Sequence, residues 1–239
     1  MLPILYQDDH YVAVDKPTGM FVHPTDLGRG QASCMVLLRN HLGQWVYPVH
    51  RLDRATSGVL IFALDQDAAG RMGRLFEQRL IQKTYLAVVR GYTLEQGQID
   101  YAYPADDAEE AVDAMTEYDR EATVELPFPV GRYDTARYSL VRVKPHTGRR
   151  HQIRRHFAHM DHPLVGDRNY GDHRHNRLFK EKFRLHRLLL MATELSFVHP
   201  YSDMPVCIQG GIPGKIALLF RRFGWEAVLE AREKGKDLG

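Results

Sequence analysis

The apolar positions along the chain predict a series of short elements in no regular alternation. Residues 4–6 and 11–15 are rich enough in apolar and β-branched residues to form two strands around an Asp8-Asp9 turn. Lys16-Pro17-Thr18-Gly19 interrupts that pattern as a loop. Cys34–Leu42 is predicted to be a helix, with Ser33 placed to cap its start and Gly43 to stop it. Residues 58–64 are a continuous apolar run, the signature of a strand buried on both faces. Residues 68–80 return to helical spacing through Met72, Leu75, Phe76 and Leu80, and residues 84–90 to strand. Residues 104–116 show little periodicity and are expected to be an exposed loop. Residues 138–144 alternate as a strand. A helix is predicted over 148–160, capped by Thr147, with Ile153, Phe157 and Met160 as its apolar stripe and Arg150, Arg154 and Arg155 off it. Residues 195–198 and 206–209 form a hairpin around Pro200-Tyr201-Ser202-Asp203, and helices over 212–223 and 225–232 close the chain. This irregular order of strands and helices predicts an α+β fold rather than a doubly wound one.

The 239 residues suffice for a sizeable core, and 44% hydrophobic with 26% charged content is ordinary for a soluble globular chain. No apolar run has the length of a membrane span, so no membrane partner is expected. The N-terminus lacks the features of a secretory signal, and Cys34 and Cys207 lie far apart without metal-site spacing. A cytoplasmic protein with free thiols is the expectation.

Charge changes the picture more than composition does. The net charge of +2 conceals an acidic stretch over 95–125 and a basic one over 144–187. Clustered cations of the second kind are the footprint of a polyanion, although a solvated face produces the same pattern. Arg149, Arg150 and Arg174 are the candidate phosphate contacts within it.

The segment His50-Arg51-Leu52-Asp53-Arg54-Ala55-Thr56-Ser57-Gly58 carries the candidate chemistry. It sets one carboxylate between two arginines, just before the buried strand. Such a group suits a nucleophile or a base, or else ties down a loop by pairing with Arg51 or Arg54. His151, His156, His159 and His162 invite a metal reading. They lack a closed ligand set, however, and sit among arginines, so no metal is expected.

Read together, four segments resemble the motifs of RNA pseudouridine synthases of the large-subunit synthase A (RluA) type. The catalytic motif is similar to His50–Arg54 with Thr56-Ser57-Gly58, and the first motif to Lys16–Gly19. The tyrosine-bearing strand is similar to Lys83-Thr84-Tyr85-Leu86-Ala87. The third motif is similar to Thr147–Arg154 followed by His162–Asp167. They occur in the family's order. The resemblance implies a mixed, largely antiparallel sheet with flanking helices and a central RNA-binding cleft. It implies one catalytic domain over 1–239, without the N-terminal S4-type domain of many relatives. Asp53 would be the catalytic aspartate. Tyr85 would stack on the target base, Ile153 would form an apolar wall of its pocket, and Arg154 would pair with Asp53. Arg51 would enter the RNA stack that the flipped base leaves. Lys16 and Pro17 are read as shaping the strand end.

The implied reaction breaks the N1–C1′ bond of a uridine, rotates the uracil and rejoins it through C5, with no cofactor. Asp53 would attack C1′ or remove a proton from C2′. Several details point to a tRNA-modifying branch of the family: the arginine-rich third motif, Asp161-His162, residues 171–177, Met191 and residues 132–138. The implied substrate is then uridine 65 of tRNA. Ribosomal RNA is the alternative substrate, and a non-catalytic RNA-binding protein the alternative class. A glycosidase ranks last because a second carboxylate is missing from the catalytic segment. A monomer without an obligate protein partner is expected.

Overall fold

The computed structural model describes residues 1–24, 30–104 and 111–236. In chain order the elements are β1 (Ile4–Gln7), β2 (Tyr11–Lys16), α1 (Cys34–Leu42), β3 (Tyr47–Pro48), β4 (Ser57–Ala63), α2 (Gln66–Glu77), β5 (Gln82–Arg90) and β6 (Gln96–Asp100). There follow β7 (Tyr103–Pro104), β8 (Ala111–Val112), β9 (Met115–Leu126), β10 (Ala136–Pro145), α3 (Gln152–His159) and α4 (His173–Phe183). The last four are β11 (Leu190–Val198), β12 (Pro205–Gln209), α5 (Gly214–Arg222) and α6 (Glu226–Lys236). The class is α+β, as expected. The chain divides into two compact units, Met1–Lys83 with Ala192–Gly211, and Thr84–Met191 with Ile212–Gly239.

In the first unit β1, β2, β4 and β11 lie side by side, with β12 on β11 and β3 on β4. The β2–β4 pair is antiparallel and runs from Tyr11 opposite Ala63 to Lys16 opposite Gly58. All seven residues of β4 are buried, as the continuous apolar run predicts. Val59, Ile61 and Ala63 of β4 pack with Ala68 and Met72 of α2 and with Leu195 and Phe197 of β11. Gly58 is required by this arrangement. Its φ is +113°, and a Cβ there would lie 2.0 Å from the Ala192 carbonyl oxygen. Any side chain would push two paired strands apart.

α1 has the predicted caps: the Ser33 side chain accepts from Val36 N–H, and Gly43 adopts the left-handed conformation. α2 begins two residues before its apolar spacing suggests, because Asp65 caps it by accepting from Ala68 N–H at 2.8 Å. The predicted hairpin 195–198/206–209 is present as β11 and β12.

In the second unit the order is β5–β10–β9–β6, all antiparallel. β9 and β6 correct the expectation for the acidic region. Twelve residues from Met115 form β9, and Tyr103–Pro104 pairs with Ala111–Val112. Asp106, Asp107, Glu109 and Glu110 lie outside the described residues. The acids of β9 obscure its alternation because they answer cations rather than water alone. Arg142 of β10 meets Asp119 and Glu121, and Arg137 meets Glu125. Across the apolar face, Tyr138, Leu140, Phe179, Phe220 and Trp225 build the core with α4, α5 and α6.

One core contact of the first unit titrates. His50 stacks on Phe76 at 4.9 Å, and its Nε2 accepts from Ile61 N–H of β4 at 3.1 Å. Accepting at Nε2 requires a neutral ring. Desolvation, with repulsion from Lys83, pushes its pKa from 6.5 down to about 3. Between those values the unfolded chain takes up a proton that the folded chain refuses, so stability falls as pH drops below 6.5. His50→Gln keeps an acceptor for Ile61 and cannot titrate. Urea unfolding at pH 6.5 and pH 5 is expected to show the wild type losing about 1–2 kcal/mol more than the variant over this interval. Equal losses would show that His50 does not titrate in this way.

Candidate active site

The Asp53 loop connects β3 to β4. Leu52, Thr56 and Ser57 are buried, Asp53 is half-buried, and Arg51 and Arg54 are exposed. Thr56 N–H donates to the Asp53 carbonyl at 3.1 Å, closing a turn directly beneath the carboxylate-bearing residue.

What holds this turn is the first motif. Lys16, the last residue of β2, is wholly buried. Burying an ammonium is costly unless its donors are met. Its Nζ donates to the carbonyls of Met20 at 2.8 Å, Pro17 at 3.1 Å and Arg54 at 3.2 Å. Two of these belong to its own loop and the third to the residue after Asp53. Gly19 N–H donates to the same Arg54 carbonyl at 2.7 Å, and Thr18 Oγ1 donates to the Ala55 carbonyl at 2.6 Å. Arg54 reciprocates, its Nε donating to the Gly19 carbonyl at 2.9 Å and its Nη2 to Gln31 Oε1 at 3.2 Å. Its guanidinium lies over Phe21, 4.8 Å from the ring centre. Lys-Pro-Thr-Gly thus does shape the strand end, and does so by fixing the backbone on the C-terminal side of Asp53. Arg54, read as a charged neighbour of Asp53, serves the first loop.

Tyr85, Ile153 and Arg154 belong to the second unit. Tyr85 is half-buried on β5, opposite Val143 of β10. Ile153 and Arg154 are in the first turn of α3, which begins at Gln152 rather than at residue 148. The side chain of Gln152 causes the difference. Its Oε1 accepts from Thr147 Oγ1 at 2.7 Å and from Arg149 N–H at 3.0 Å. Its Nε2 donates to the Met115 carbonyl at 2.9 Å and to Thr116 Oγ1 at 3.0 Å. Thr147 therefore braces a loop instead of capping a helix, and His151 takes a left-handed φ of 57° before the helix starts.

Arg154 is not the solvated residue that its place off the apolar stripe predicts: it is 6% exposed. Its Nε donates to Asp167 Oδ2 at 2.6 Å and its Nη2 to Oδ1 at 2.8 Å, a two-pronged pair. Asp167 Oδ1 also accepts the N–H groups of Asn169 at 2.9 Å and Tyr170 at 3.1 Å. Burial alone would raise the Asp167 carboxyl, but the Arg154 bonds and charge, with those two N–H groups, hold it below the usual carboxylate range. Asn176 of α4 fastens the same turn, accepting from Gly166 N–H at 2.7 Å and donating to the Asp167 carbonyl at 2.7 Å. Gly166 has φ +80°, and a Cβ there would lie 1.9 Å from the Arg187 carbonyl oxygen. Asp167, the last residue of the third motif, is the residue that positions Arg154.

The four histidines considered for a metal go to different partners. His151 meets Tyr170 OH at 3.1 Å, His162 meets the Arg90 carbonyl at 2.8 Å, and His159 stacks on Tyr101 at 3.7 Å. His156 is buried edge-on to Tyr103 at 5.9 Å. Among the described residues no group of three or more His, Cys, Asp or Glu is arranged to hold a metal ion. Among them also, no helix is long and apolar enough to cross a membrane.

The chain is similar to known proteins over nearly its whole length. It is 46% identical to tRNA pseudouridine synthase C of Vibrio vulnificus over 240 aligned residues, covering 96% of this chain and 98% of that one. It is 45% identical to tRNA pseudouridine synthase C of Haemophilus influenzae, covering 95% and 100%. Among solved structures, human RNA pseudouridylate synthase domain containing 1 superposes with a TM-score of 0.70 at 27% identity, over 89% of this chain and 84% of that one. The sequence profile of the RNA pseudouridylate synthases matches residues 10–159, which include the Asp53 loop, Tyr85 and Arg154. The chain therefore belongs to the RNA pseudouridylate synthase family.

Proposed function

We propose that this protein converts one uridine of tRNA, uridine 65, to pseudouridine, and that Asp53 performs the chemistry. The observation that carries the role of Asp53 is its loop: a half-buried carboxylate on a turn whose backbone is clamped by a buried lysine. A surface aspartate with no task has no need of such a brace. The tRNA substrate is supported by the near end-to-end similarity to proteins named tRNA pseudouridine synthase C.

The target base must leave its stack before its sugar is accessible, at a cost of a few kcal/mol. Tyr85 offers the extruded uracil an aromatic face, and Ile153 an apolar wall. Arg51, exposed beside the Asp53 turn, fills the vacated place in the RNA. Arg154, fixed in rotamer by Asp167, is the residue that the family resemblance assigns as the partner of the Asp53 carboxylate.

Asp53 attacks C1′ and displaces N1, or takes a proton from C2′ so that the glycosidic bond breaks by elimination. The detached uracil rotates and C5 bonds to C1′. The proton lost from C5 balances the one gained at N1, so no atom or electron is exchanged with a co-reactant and no cofactor is needed. A monomer acting in the cytoplasm suffices for this chemistry.

Pseudouridine mapping of total RNA tests the proposal in cells with and without the gene. Loss of one tRNA pseudouridine is expected, restored by the wild type and not by Asp53→Ala. Loss at a ribosomal site would move the substrate to ribosomal RNA. Unchanged RNA, or full rescue by Asp53→Ala, would leave an RNA-binding role only. A second variant probes the positioning of Arg154. Asp167→Asn removes the charge paired two-pronged with a buried guanidinium and should cost about 3–5 kcal/mol in urea unfolding. The conversion rate of tRNA should fall even at temperatures where the variant is folded. A stable, fully active Asp167→Asn protein would show that Arg154 needs no brace.

A further inference from the structure

Several arginines of this protein are already answered by acids. Arg71, Arg90, Arg120, Arg137, Arg142, Arg154 and Arg174 each face an acid. α4 is different. Its buried side consists of Leu178 and Phe179, which anchor it in the core. Its outward side presents His173, Arg177, Lys180 and, at the C-cap, Arg184, all exposed. These positions are spaced i, i+4, i+7 and i+11, so they form one stripe along the helix, with about one cation per 5.4 Å turn. Among the described residues, the side chains of Arg177, Lys180 and Arg184 make no ion pair or hydrogen bond. One acid, Glu181, stands on the exposed surface of the helix.

A stripe of unanswered cations repels itself, and an isolated helix gains nothing from it. Two features keep it in place. Asp172 caps the N-terminus through Arg174 N–H at 2.9 Å, and Asn176 ties the helix to the turn that carries Asp167. The surface continues beyond the helix start. A Cβ on Gly131 would lie 3.0 Å from Arg174 Nη1, which places the 130–133 loop against α4. There Arg132 lies over the exposed ring of Tyr133, 5.1 Å from its centre.

We infer that the outer face of α4, with Arg177, Lys180 and Arg184 at its centre, binds the phosphate backbone of the RNA substrate away from the reacting nucleotide. This rests on the RNA-modifying reading above and extends it to a surface. The exposed side of α4 offers no large apolar residue, which a protein-binding face needs as an anchor. Phosphates need only cations, and they bind with release of counterions. Arg174, a candidate from the basic run of the sequence, shares Asp172 with Arg90, so the proposal rests on Arg177, Lys180 and Arg184, which no acid meets.

The test compares steady-state conversion of tRNA by the intact wild type, by Arg177→Glu/Lys180→Glu/Arg184→Glu, and by a control with equal charge change per site, Lys215→Glu/Arg221→Glu on the exposed side of α5. A milder Arg177→Gln/Lys180→Gln/Arg184→Gln variant guards against misfolding, and thermal unfolding checks each protein. The charge-reversed and glutamine variants should raise KM and keep kcat at saturating tRNA. They should also flatten the dependence of log KM on log salt by about 0.9 per lost phosphate contact, close to 3 units for three contacts. The control should leave KM and the salt slope unchanged. Unchanged KM and slope in folded glutamine and charge-reversed variants would overturn the inference while the activity reading stands, as would an equal effect of the control. A wild type that makes no pseudouridine in tRNA or any other RNA would instead overturn the reading on which the inference rests.

Discussion

The first unit depends on one buried charge. Lys16 ends an internal strand, is wholly buried and donates to three backbone carbonyls. Those carbonyls come from two loops far apart in sequence, so the lysine cannot be satisfied unless both loops have their native form. Hydrogen bonds to a charged group are worth about 1.5–3 kcal/mol each, against a desolvation cost of the same order as their sum. The net gain in stability is therefore small, and the gain in definition is large: the Asp53 turn has one conformation compatible with a paired ammonium. Gly58 adds a second constraint a few residues later, where only a missing side chain lets β4 run past the Ala192 carbonyl.

The second unit repeats the design with opposite signs. Here a buried carboxylate, Asp167, is the hub, and it holds the arginine that the proposed chemistry uses. Again a glycine with positive φ, Gly166, allows the hub to approach a neighbouring backbone. Each unit thus places a proposed functional side chain one link away from a buried, hydrogen-bonded ion. Such supporting groups preorganise a site without touching substrate.

The elements that were legible in the sequence are those whose signal is local. Ser33 and Gly43 bracket α1, the apolar run at 58–64 is β4, and turn residues 200–203 separate β11 from β12. The strand and the helix that were missed show no apolar periodicity of their own. β9 hides its alternation behind acids paired across to β10, and α4 has too few apolar residues to show a stripe. Arg154 looks solvated because its burial depends on an acid thirteen positions on. The candidate residues Arg51, Asp53, Tyr85, Ile153 and Arg154 emerged from motifs read together. Lys16 and Asp167, which hold two of those motifs in shape, could be assigned only once their partners in distant segments were in view. The start of α3 shows the same limit, since Gln152 is satisfied by Thr116 and Met115 on another strand.

The most direct test is the single-turnover rate of uridine conversion by purified Lys16→Met, a variant that keeps a four-atom side-chain stem and removes the ammonium with its three donors. The rate should be measured at a temperature where circular dichroism shows the variant folded. A large fall in rate with tRNA binding retained is expected, because the three carbonyls lose their common donor and the Asp53 turn loses its fixed geometry. A folded Lys16→Met protein that converts uridine at the wild-type rate would contradict it, and would leave the buried lysine as a stabilising feature unconnected to catalysis.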